Sequence, residues 1–214
     1  VLERDGATPT TFETKGTLSK GAWTHFANTR SASNVKLYIN GTLDVNHSAS
    51  NAINAGSTQD ITIGNQAGAS VYFDGRMSVL RIYNTTLTDS EVAQNFRADC
   101  LLSYSTPYTT DALVDYRPSN YVTGTNLPDV SGNSNTGELN GGIESTYDKE
   151  LGDFFDLAGG SSGDYIRSSN TVSFNTSTDG MTGEMWFKPD TNAQAYMFSA
   201  EQAGSTQFNL SYRS

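Results

Sequence analysis

Short runs in which apolar and polar residues alternate recur along the chain, and clusters of Gly, Asn, Ser and Thr separate them. A period of two residues predicts β-strands, because successive side chains of a strand point to opposite faces. The clearest pair flanks Asn40-Gly41, which is the strongest short signal for a two-residue hairpin turn. The predicted strands are residues 35–39, 43–45, 61–64, 77–83, 112–116, 154–157, 164–166, 184–189, 196–198 and 208–212.

The run at residues 77–83 has apolar residues on both of its predicted faces. Alternation places Met77, Val79, Arg81 and Tyr83 together, and it places Leu80 on the opposite face. A strand that is apolar on both faces is typical of a position between two layers.

One helix is expected. Thr88 and Glu91 have the spacing of a capping box, and Val92 and Phe96 supply a small apolar face. We expect two or three helical turns from about residue 89 to residue 97. About ten short strands with one short helix predict an all-β, antiparallel two-sheet sandwich.

Composition and charge limit the expected partners. The 214 residues carry a formal net charge of −10, so phosphate backbones and anionic lipids would repel the chain, and we expect no nucleic-acid partner. No apolar run reaches 18 residues, and no membrane insertion is expected. Cys100 is the single cysteine, so it forms either an idle thiol or a link between two chains. The chain begins in the middle of a pattern, which suggests a piece of a longer polypeptide.

A set of motifs between residues 20 and 97 occurs in a fixed order. They are Trp23-Thr24-His25-Phe26, the LYING sequence at 37–41, Ile63-Gly64, FDGRM at 73–77 and RIYN at 81–84, followed by Leu87 and Glu91. This set resembles the second half of laminin-G-like and pentraxin-like domains of the concanavalin A-like lectin/glucanase superfamily. The resemblance implies a concanavalin A-like jelly roll.

Residues 112–214 carry motifs that resemble the first half of the same domains. These are DVSGNSNTG at 129–137, FDL at 155–157, DYI at 164–166 and WFKP at 186–189. The two halves therefore stand in inverted order. We expect residues 1–99 to correspond to the C-terminal half, 100–111 to a linker, and 112–214 to the N-terminal half.

Three arrangements fit this inverted order: a circular permutation, a window cut from tandem repeats, and an exchange of halves between subunits. In each of them the apolar residues of one half need those of the other, since burying one large apolar side chain contributes roughly 1.5–3 kcal/mol. The expected core residues are Trp23, Leu37, Ile39, Ile63, Leu80 and Ile82 from one half, and Leu113, Phe155, Ile166, Trp186, Phe198 and Leu210 from the other. We favour completion by neighbouring copies, which makes copies of the chain or neighbouring repeats the expected partners.

No catalytic motif is present in the sequence. A related sandwich family hydrolyses β-glucans with E-x-D-x-x-E on one strand, whereas Glu184 stands without a second carboxylate beside it. His25 and His47 are too few and too far apart in sequence for a histidine-based metal site. We therefore expect a protein that is not an enzyme.

The segment from Asp129 to Gly137 is the candidate metal site. Asp129, Asn133 and Asn135 place oxygen ligands in a tight loop, which suits Ca²⁺, and the family resemblance implies structural calcium in this loop. The alternative is an Asx-rich turn that needs no metal. Ser78 stands where many relatives have Asp, which counts against calcium.

Two surface features remain open from sequence. Tyrosines in loop-like stretches either stack on sugars or pack in the ordinary way; they are Tyr104, Tyr108, Tyr121 and Tyr147. Sequons for N-glycosylation occur at Asn40, Asn46, Asn84 and Asn175, and they matter only in a eukaryotic secretory setting.

Two functions compete at this point. The first is a non-enzymatic structural or adhesive module of an extracellular, cell-surface or virion assembly, such as a fibre, filament or decoration protein, with glycans as a further partner. The second is a soluble, calcium-dependent lectin. The inverted order favours the first, because a chain that begins within a domain suggests strand sharing, whereas the fold supports both equally.

Overall fold

The computed structural model describes residues 2–5, 8–49, 58–65, 71–100, 106–121, 123–158, 163–173, 180–202 and 205–212. The strands in chain order are β1 (Leu2–Asp5), β2 (Thr8–Thr11), β3 (Thr24–Arg30), β4 (Asn34–Ile39), β5 (Thr42–Ser48), β6 (Thr58–Ile63), β7 (Gly75–Tyr83), β8 (Ala112–Tyr116), β9 (Asn126–Leu127), β10 (Gly137–Asn140), β11 (Glu144–Asp148), β12 (Gly152–Leu157), β13 (Tyr165–Ser168), β14 (Val172–Ser173), β15 (Met181–Pro189), β16 (Ala195–Gln202) and β17 (Ser205–Tyr212). One α-helix, α1 (Asp89–Ala98), follows β7, and Pro118–Asn120 form a 3-10 turn.

The strands form two antiparallel sheets. One sheet has the order β2-β1-β17-β16-β6-β13-β10-β9, with β14 also pairing with β6. The other has the order β11-β12-β7-β15-β3-β4-β5, with β8 also pairing with β7. The predicted all-β, two-sheet antiparallel sandwich with one short helix is confirmed.

The hairpin between β4 and β5 follows the predicted turn. Ile39 pairs with Thr42, so Asn40 and Gly41 alone form the connection. Their φ angles are 50° and 72°, the left-handed conformation that this kind of two-residue turn requires at both positions. The capping box of α1 is also confirmed, because the Thr88 hydroxyl accepts from Glu91 N and the Glu91 side chain accepts from Thr88 N.

The predicted faces of β7 were wrong for Met77. Opposite β15, Phe187 pairs with Met77 and Met185 pairs with Leu80, so two residues of β7 face the single residue Trp186. This bulge shifts the alternation by one position. Met77 therefore lies in the core with Leu80, while Arg81 keeps the opposite face.

The two sequence segments pair with each other within this one chain. Strand β15 of the second segment lies between β3 and β7 of the first, and β17 pairs with β1. Strand β8 is an antiparallel neighbour of β7, and the chain between these two strands, residues 84–111, includes α1. Exchange of these strands between neighbouring copies stays a prediction.

A common core lies between the sheets and contains most of the apolar residues expected there. Its predicted members are Leu37, Ile63, Leu80, Ile82, Phe155, Ile166, Phe198 and Leu210. Four predicted members are exceptions. Ile39 and Leu113 are only partly buried, and Leu113 packs against the edge of the core. Trp186 pairs with His25 on the opposite face of the second sheet, because its neighbours Met185 and Phe187 fill the core. Trp23 packs edge-on against Phe154 instead.

Helix α1 covers part of the outer face of the second sheet, the face turned away from the common core. A small separate cluster of buried apolar residues lies beneath it, formed by Ala27, Tyr38, Tyr83, Leu87, Val92 and Ala112. The helix thus provides a third layer over β3, β4 and β7. Buried charged side chains, among them Arg81 and Glu184, lie between the helix and the sheet.

Candidate functional site

A buried network of charged side chains lies on this outer face, and Arg81 of β7 is its centre. Arg81 is completely buried, and its guanidinium bonds Asp99 at 2.5 and 2.9 Å and Glu184 at 3.0 Å. The carboxylate of Asp115 lies 3.4 Å from its Nε atom. Burial alone would lower the pKa of Arg81, but Asp99, Glu184 and Asp115 together raise it well above its ordinary value. The guanidinium is therefore permanently charged.

The register of the sheet brings these groups together. Arg81 stands directly opposite Glu184 of β15 on one side and Asp115 of β8 on the other. Asp99 follows the last turn of α1. The network thus joins two neighbouring strands and the helix to β7. Its four charged members, at positions 81, 99, 115 and 184, come from separate parts of the sequence.

Glu184 is held by several donors. Its Oε1 atom accepts from Arg81 Nη1 at 3.0 Å and from Asn95 Nδ2 at 2.8 Å. The Tyr83 hydroxyl lies 3.0 Å from the same oxygen and 2.8 Å from the Tyr108 carbonyl, and shares its single proton between them. Burial alone would raise the pKa of Glu184, but His25 and Arg81 outweigh it and hold the pKa below its ordinary value of 4.5.

His25 of β3 lies next to Glu184 and is a further member of the network. Its Nε2 atom lies 3.6 Å from Glu184 Oε2, which is an ion-pair distance and too long for a good hydrogen bond. The imidazole lies between Trp186 and Phe96, with ring centroids 5.4 and 5.7 Å away. Phe96 of α1 in turn stacks on Trp186 at 5.5 Å.

A carboxylate beside an imidazole is a combination used in acid–base catalysis, but this pair is closed to substrate. Glu184 is 3% exposed and His25 is 0% exposed, beneath α1. The sequence did not predict their proximity. A usable signal was present, because Arg81 and Glu184 are charged residues flanked by apolar neighbours in β7 and β15, and a buried charge requires a partner.

The Asp129 loop brings the predicted metal ligands together. The Asp129 carboxylate accepts from the backbone N–H groups of Asp115 (3.0 Å), Ser131 (2.9 Å) and Asn135 (2.9 Å), and from the Ser131 hydroxyl (2.8 Å). The amide nitrogens of Asn133 and Asn135 donate to the carbonyls of Ala112 (2.7 Å) and Leu113 (2.8 Å). The loop is thereby fastened to the start of β8.

This geometry fits an Asx-rich turn better than a cation site. Four donors engage the roughly four lone pairs of the Asp129 carboxylate, so a cation would have to displace at least one of them. Among the described residues, no group of three or more His, Cys, Asp or Glu side chains could hold a metal ion. Ser78, at the position of the missing acid, donates its hydroxyl to the Asp153 carbonyl at 2.9 Å. Calcium binding by Asp129, Asn133 and Asn135 stays a prediction.

Aromatic and charged side chains also meet around Trp23, in a group called here the Trp23 patch: Trp23, Arg76, Asp148, Phe154, Lys188 and Asp190. Trp23 is half-buried and meets the Phe154 ring edge-on at 5.7 Å. Lys188 Nζ lies 5.8 Å from the centre of the Trp23 ring and 3.6 Å from the Asp148 carboxylate. The patch combines aromatic surface with charged donors and acceptors, a combination that suits polar ligands with apolar faces.

Tyr108 and Tyr121 have packing roles, and Tyr147 is exposed. Tyr108 packs against the cluster beneath α1, and Tyr121 packs edge-on against Phe155 and donates its hydroxyl to the Gly124 carbonyl. Tyr147 of β11 is 64% exposed. Tyr104 lies outside the described residues.

The modification sites differ in accessibility. Asn40 and Asn46 are both exposed, and the Asn40 side chain accepts a hydrogen bond from His25 N at 3.0 Å. Asn84 is half-buried, and Asn175 lies outside the described residues. The Cys100 thiol donates to the Phe96 carbonyl at 3.3 Å, and burial together with Asp99 raises its pKa, which lowers its reactivity as a thiolate.

Residues 2–93 match the laminin G model of the concanavalin A-like lectin/glucanases superfamily. This segment is laminin-G-like. It covers β1 to β7 and the first turn of α1, and it contains the motifs from Trp23 to Glu91 on which the resemblance was based. The resemblance to this superfamily is thus confirmed, and no curated protein matches the chain.

A strand from the rest of the chain lies within the sheet of the laminin-G-like segment. Its central strands β3 and β7 do not pair with each other, because β15 from beyond the matched residues lies between them. The concanavalin A-like sandwich therefore needs both segments. Among the described helices, none is long and apolar enough to span a membrane.

Proposed function

We propose that this protein is a non-enzymatic adhesive or structural module of an extracellular, cell-surface or virion assembly, and that it binds glycans through the Trp23 patch. The laminin-G-like match supports a carbohydrate-binding or adhesive module in general. The observation that carries the proposal is the burial of Glu184 on the central strand β15. Its carboxylate accepts hydrogen bonds from Arg81 and Asn95 within the protein.

A glycosidase needs two carboxyl groups that flank an accessible substrate. Here Glu184 is 3% exposed and its neighbours Asp99 and Asp115 share a single guanidinium with it. A group committed to holding α1 and β8 on the sheet is not available to protonate a leaving group. We therefore expect a ligand to bind to the exposed residues on the outer face of the second sheet.

The Trp23 patch is the part of that face best suited to a sugar. The apolar face of a sugar ring stacks on aromatic rings, while its hydroxyls need donors and acceptors. Trp23 offers the ring, and Lys188 and Asp148, whose side chains are each 16% exposed, offer the polar groups at its margin.

Glycan-array binding with purified protein tests the proposal. We expect binding without release of reducing ends, and we expect Trp23→Ala to abolish it. Tyr147→Ala is the matched control, because Tyr147 is an exposed aromatic residue on β11 outside the patch, and it should leave binding unchanged. Hydrolysis of a glycan that disappears in Glu184→Gln would overturn the non-enzymatic proposal.

Self-association is the second part of the proposal, with copies of the chain or neighbouring repeats as partners. Light scattering after serial dilution in non-denaturing buffer measures it directly. Oligomers that persist and melt in a concentration-dependent transition support shared strands, since folding and association are then the same event. A folded, monodisperse monomer with a cooperative melt would refute strand sharing.

A calcium-dependent lectin is the alternative, favoured by the convergence of Asp129, Asn133 and Asn135 in one loop. Isothermal titration with Ca²⁺ tests it, with Asp129→Asn as the variant and Asp153→Asn, at an exposed position of β12, as the control. Saturable binding that only Asp129→Asn removes would establish the alternative. No heat of binding in millimolar Ca²⁺ would support the metal-free turn.

A further inference from the structure

Asn28 is a polar side chain in the apolar interior between the two sheets. It lies on β3 directly opposite Gly183 of β15, which pairs on its other side with Ile82 of β7. The residue is 0% exposed. In the part of the chain that the structure describes, neither the Oδ1 nor the Nδ2 atom of Asn28 has a hydrogen-bond partner.

This arrangement is unfavourable unless something else bonds to the amide. Buried polar side chains are nearly always hydrogen-bonded, either to protein or to ordered water. Leu37, which pairs with Asn28 on β4, belongs to the apolar core, so the surroundings on this side offer the amide no hydrogen bond.

A cavity of about 10 Å³ borders this side chain. It lies between the sheets, and its lining contains Leu80, Ile82, Gly183, Met185, Phe198 and Leu210, together with Arg81 and Glu184, whose side chains bond each other on the opposite face of the sheet. Gly183 creates the space: a Cβ atom there would stand 3.1 Å from Asn28 Oδ1 and 3.6 Å from Phe198 Cε1. The carbonyl oxygen of Asn28 therefore faces the region that the missing side chain leaves open.

We propose that this cavity is a binding site for one water molecule, held by the side chain of Asn28. A cavity of roughly 10–15 Å³ admits one water when polar partners are available. A primary amide presents a donor and an acceptor on one edge, so a single water can accept from Nδ2–H and donate to Oδ1. The mostly apolar lining excludes an ion, and the volume excludes a larger molecule.

Nuclear magnetic resonance on the ¹⁵N-labelled full chain tests the site. We expect a rotating-frame cross-peak between water and the Asn28 side-chain amide protons, assigned by its absence in Asn28→Leu. Gly183→Ala places a methyl group in the cavity and should remove the cross-peak. Thr62→Val is the matched control, because the Thr62 hydroxyl is also buried without a partner among the described residues but does not line this cavity.

A high-resolution crystal structure of the wild-type chain gives an independent readout should Gly183→Ala fail to fold. Density within hydrogen-bonding distance of both Asn28 atoms supports the site. An Asn28 side chain bonded to another protein group, with the cavity filled or dry, overturns it. Resolved Asn28 amide resonances that show no water cross-peak would also overturn it.

Discussion

Replacement of Arg81 by Met should destabilise the protein more than replacement of any one of its acidic partners. Among the described residues, Arg81 is the one cation that contacts all three of Asp99, Asp115 and Glu184, which are nearly or fully buried. Arg117 bonds Asp115 at 2.6 Å but does not contact the other two. Met preserves most of the volume of the Arg stem and removes only the charge and the donors.

The magnitude follows from the charges that each variant leaves behind. Breaking a buried ion pair by removing one partner costs about 3–5 kcal/mol, because the remaining charge has no compensation. Arg81→Met leaves Asp99 without its cation and leaves Glu184 with His25 at 3.6 Å, so we expect the upper part of this range. Glu184→Gln leaves Arg81 paired with Asp99 and Asp115 and keeps an acceptor for Asn95, so about 1.5–3 kcal/mol is expected, the value for a hydrogen bond to a charged group.

Urea denaturation followed by tryptophan fluorescence measures both variants, since Trp186 lies next to the network. Arg167→Met is the matched control: Arg167 bonds Asp60 at 2.5 Å, but the two side chains are 47% and 34% exposed, and a surface pair contributes about 0–1 kcal/mol. The reasoning fails if Arg81→Met costs no more than Arg167→Met. It also fails if Glu184→Gln is the more damaging change.

Three further outcomes follow from the same contacts. Gly41→Ala should cost at least about 1 kcal/mol more than Gly21→Ala in thermal or urea unfolding, because both positions have positive φ but only a Cβ at Gly41 would meet Phe96, at 2.8 Å; equal losses would contradict this. Phe96→Ala should cost about 2 kcal/mol, less than the roughly 3–5 kcal/mol of a fully buried Phe because Phe96 is half-buried, and it should shift the emission of Trp186 to longer wavelength, since it removes the stacked ring; an unchanged spectrum would refute the stacking. The folded-state pKa of Glu184 lies below its ordinary value of 4.5, so its contribution to stability is complete above that pH and is lost as pH falls through the lowered pKa. Melting curves from pH 7 to pH 3 should therefore fall less steeply for Glu184→Gln than for wild type, and parallel curves would contradict the assignment.

Local structure could be predicted from the sequence wherever a few adjacent residues determine the conformation. Asn40-Gly41 predicted the hairpin because the turn needs two residues that accept positive φ, and both have it. Thr88 and Glu91 predicted the start of α1, because a capping box involves only residues three apart. The laminin-G-like motifs and the two-sheet architecture were likewise visible, since alternation reports which residues face a core.

Strands that lack this alternation were not predicted from the sequence. Strand β11 reads Glu-Ser-Thr-Tyr-Asp, and its edge position leaves it largely exposed, so no apolar face indicated it. The bulge in β7 was equally hidden, because the extra residue appears only when the strand is aligned with β15. Met77 was consequently placed on the wrong face.

Tertiary structure alone decided which distant residues meet. Arg81, Asp115 and Glu184 became neighbours through strand pairing, and the turn that places Asp99 beside them belongs to a helix whose docking depends on Phe96 and Trp186. A strand sequence specifies which face a side chain occupies but not the identity of the adjacent strand, because the backbone hydrogen bonds are the same for any partner. The alternation of apolar residues therefore determined a sandwich, and the pairing of the two segments determined that its one central carboxylate is buried and held by charge.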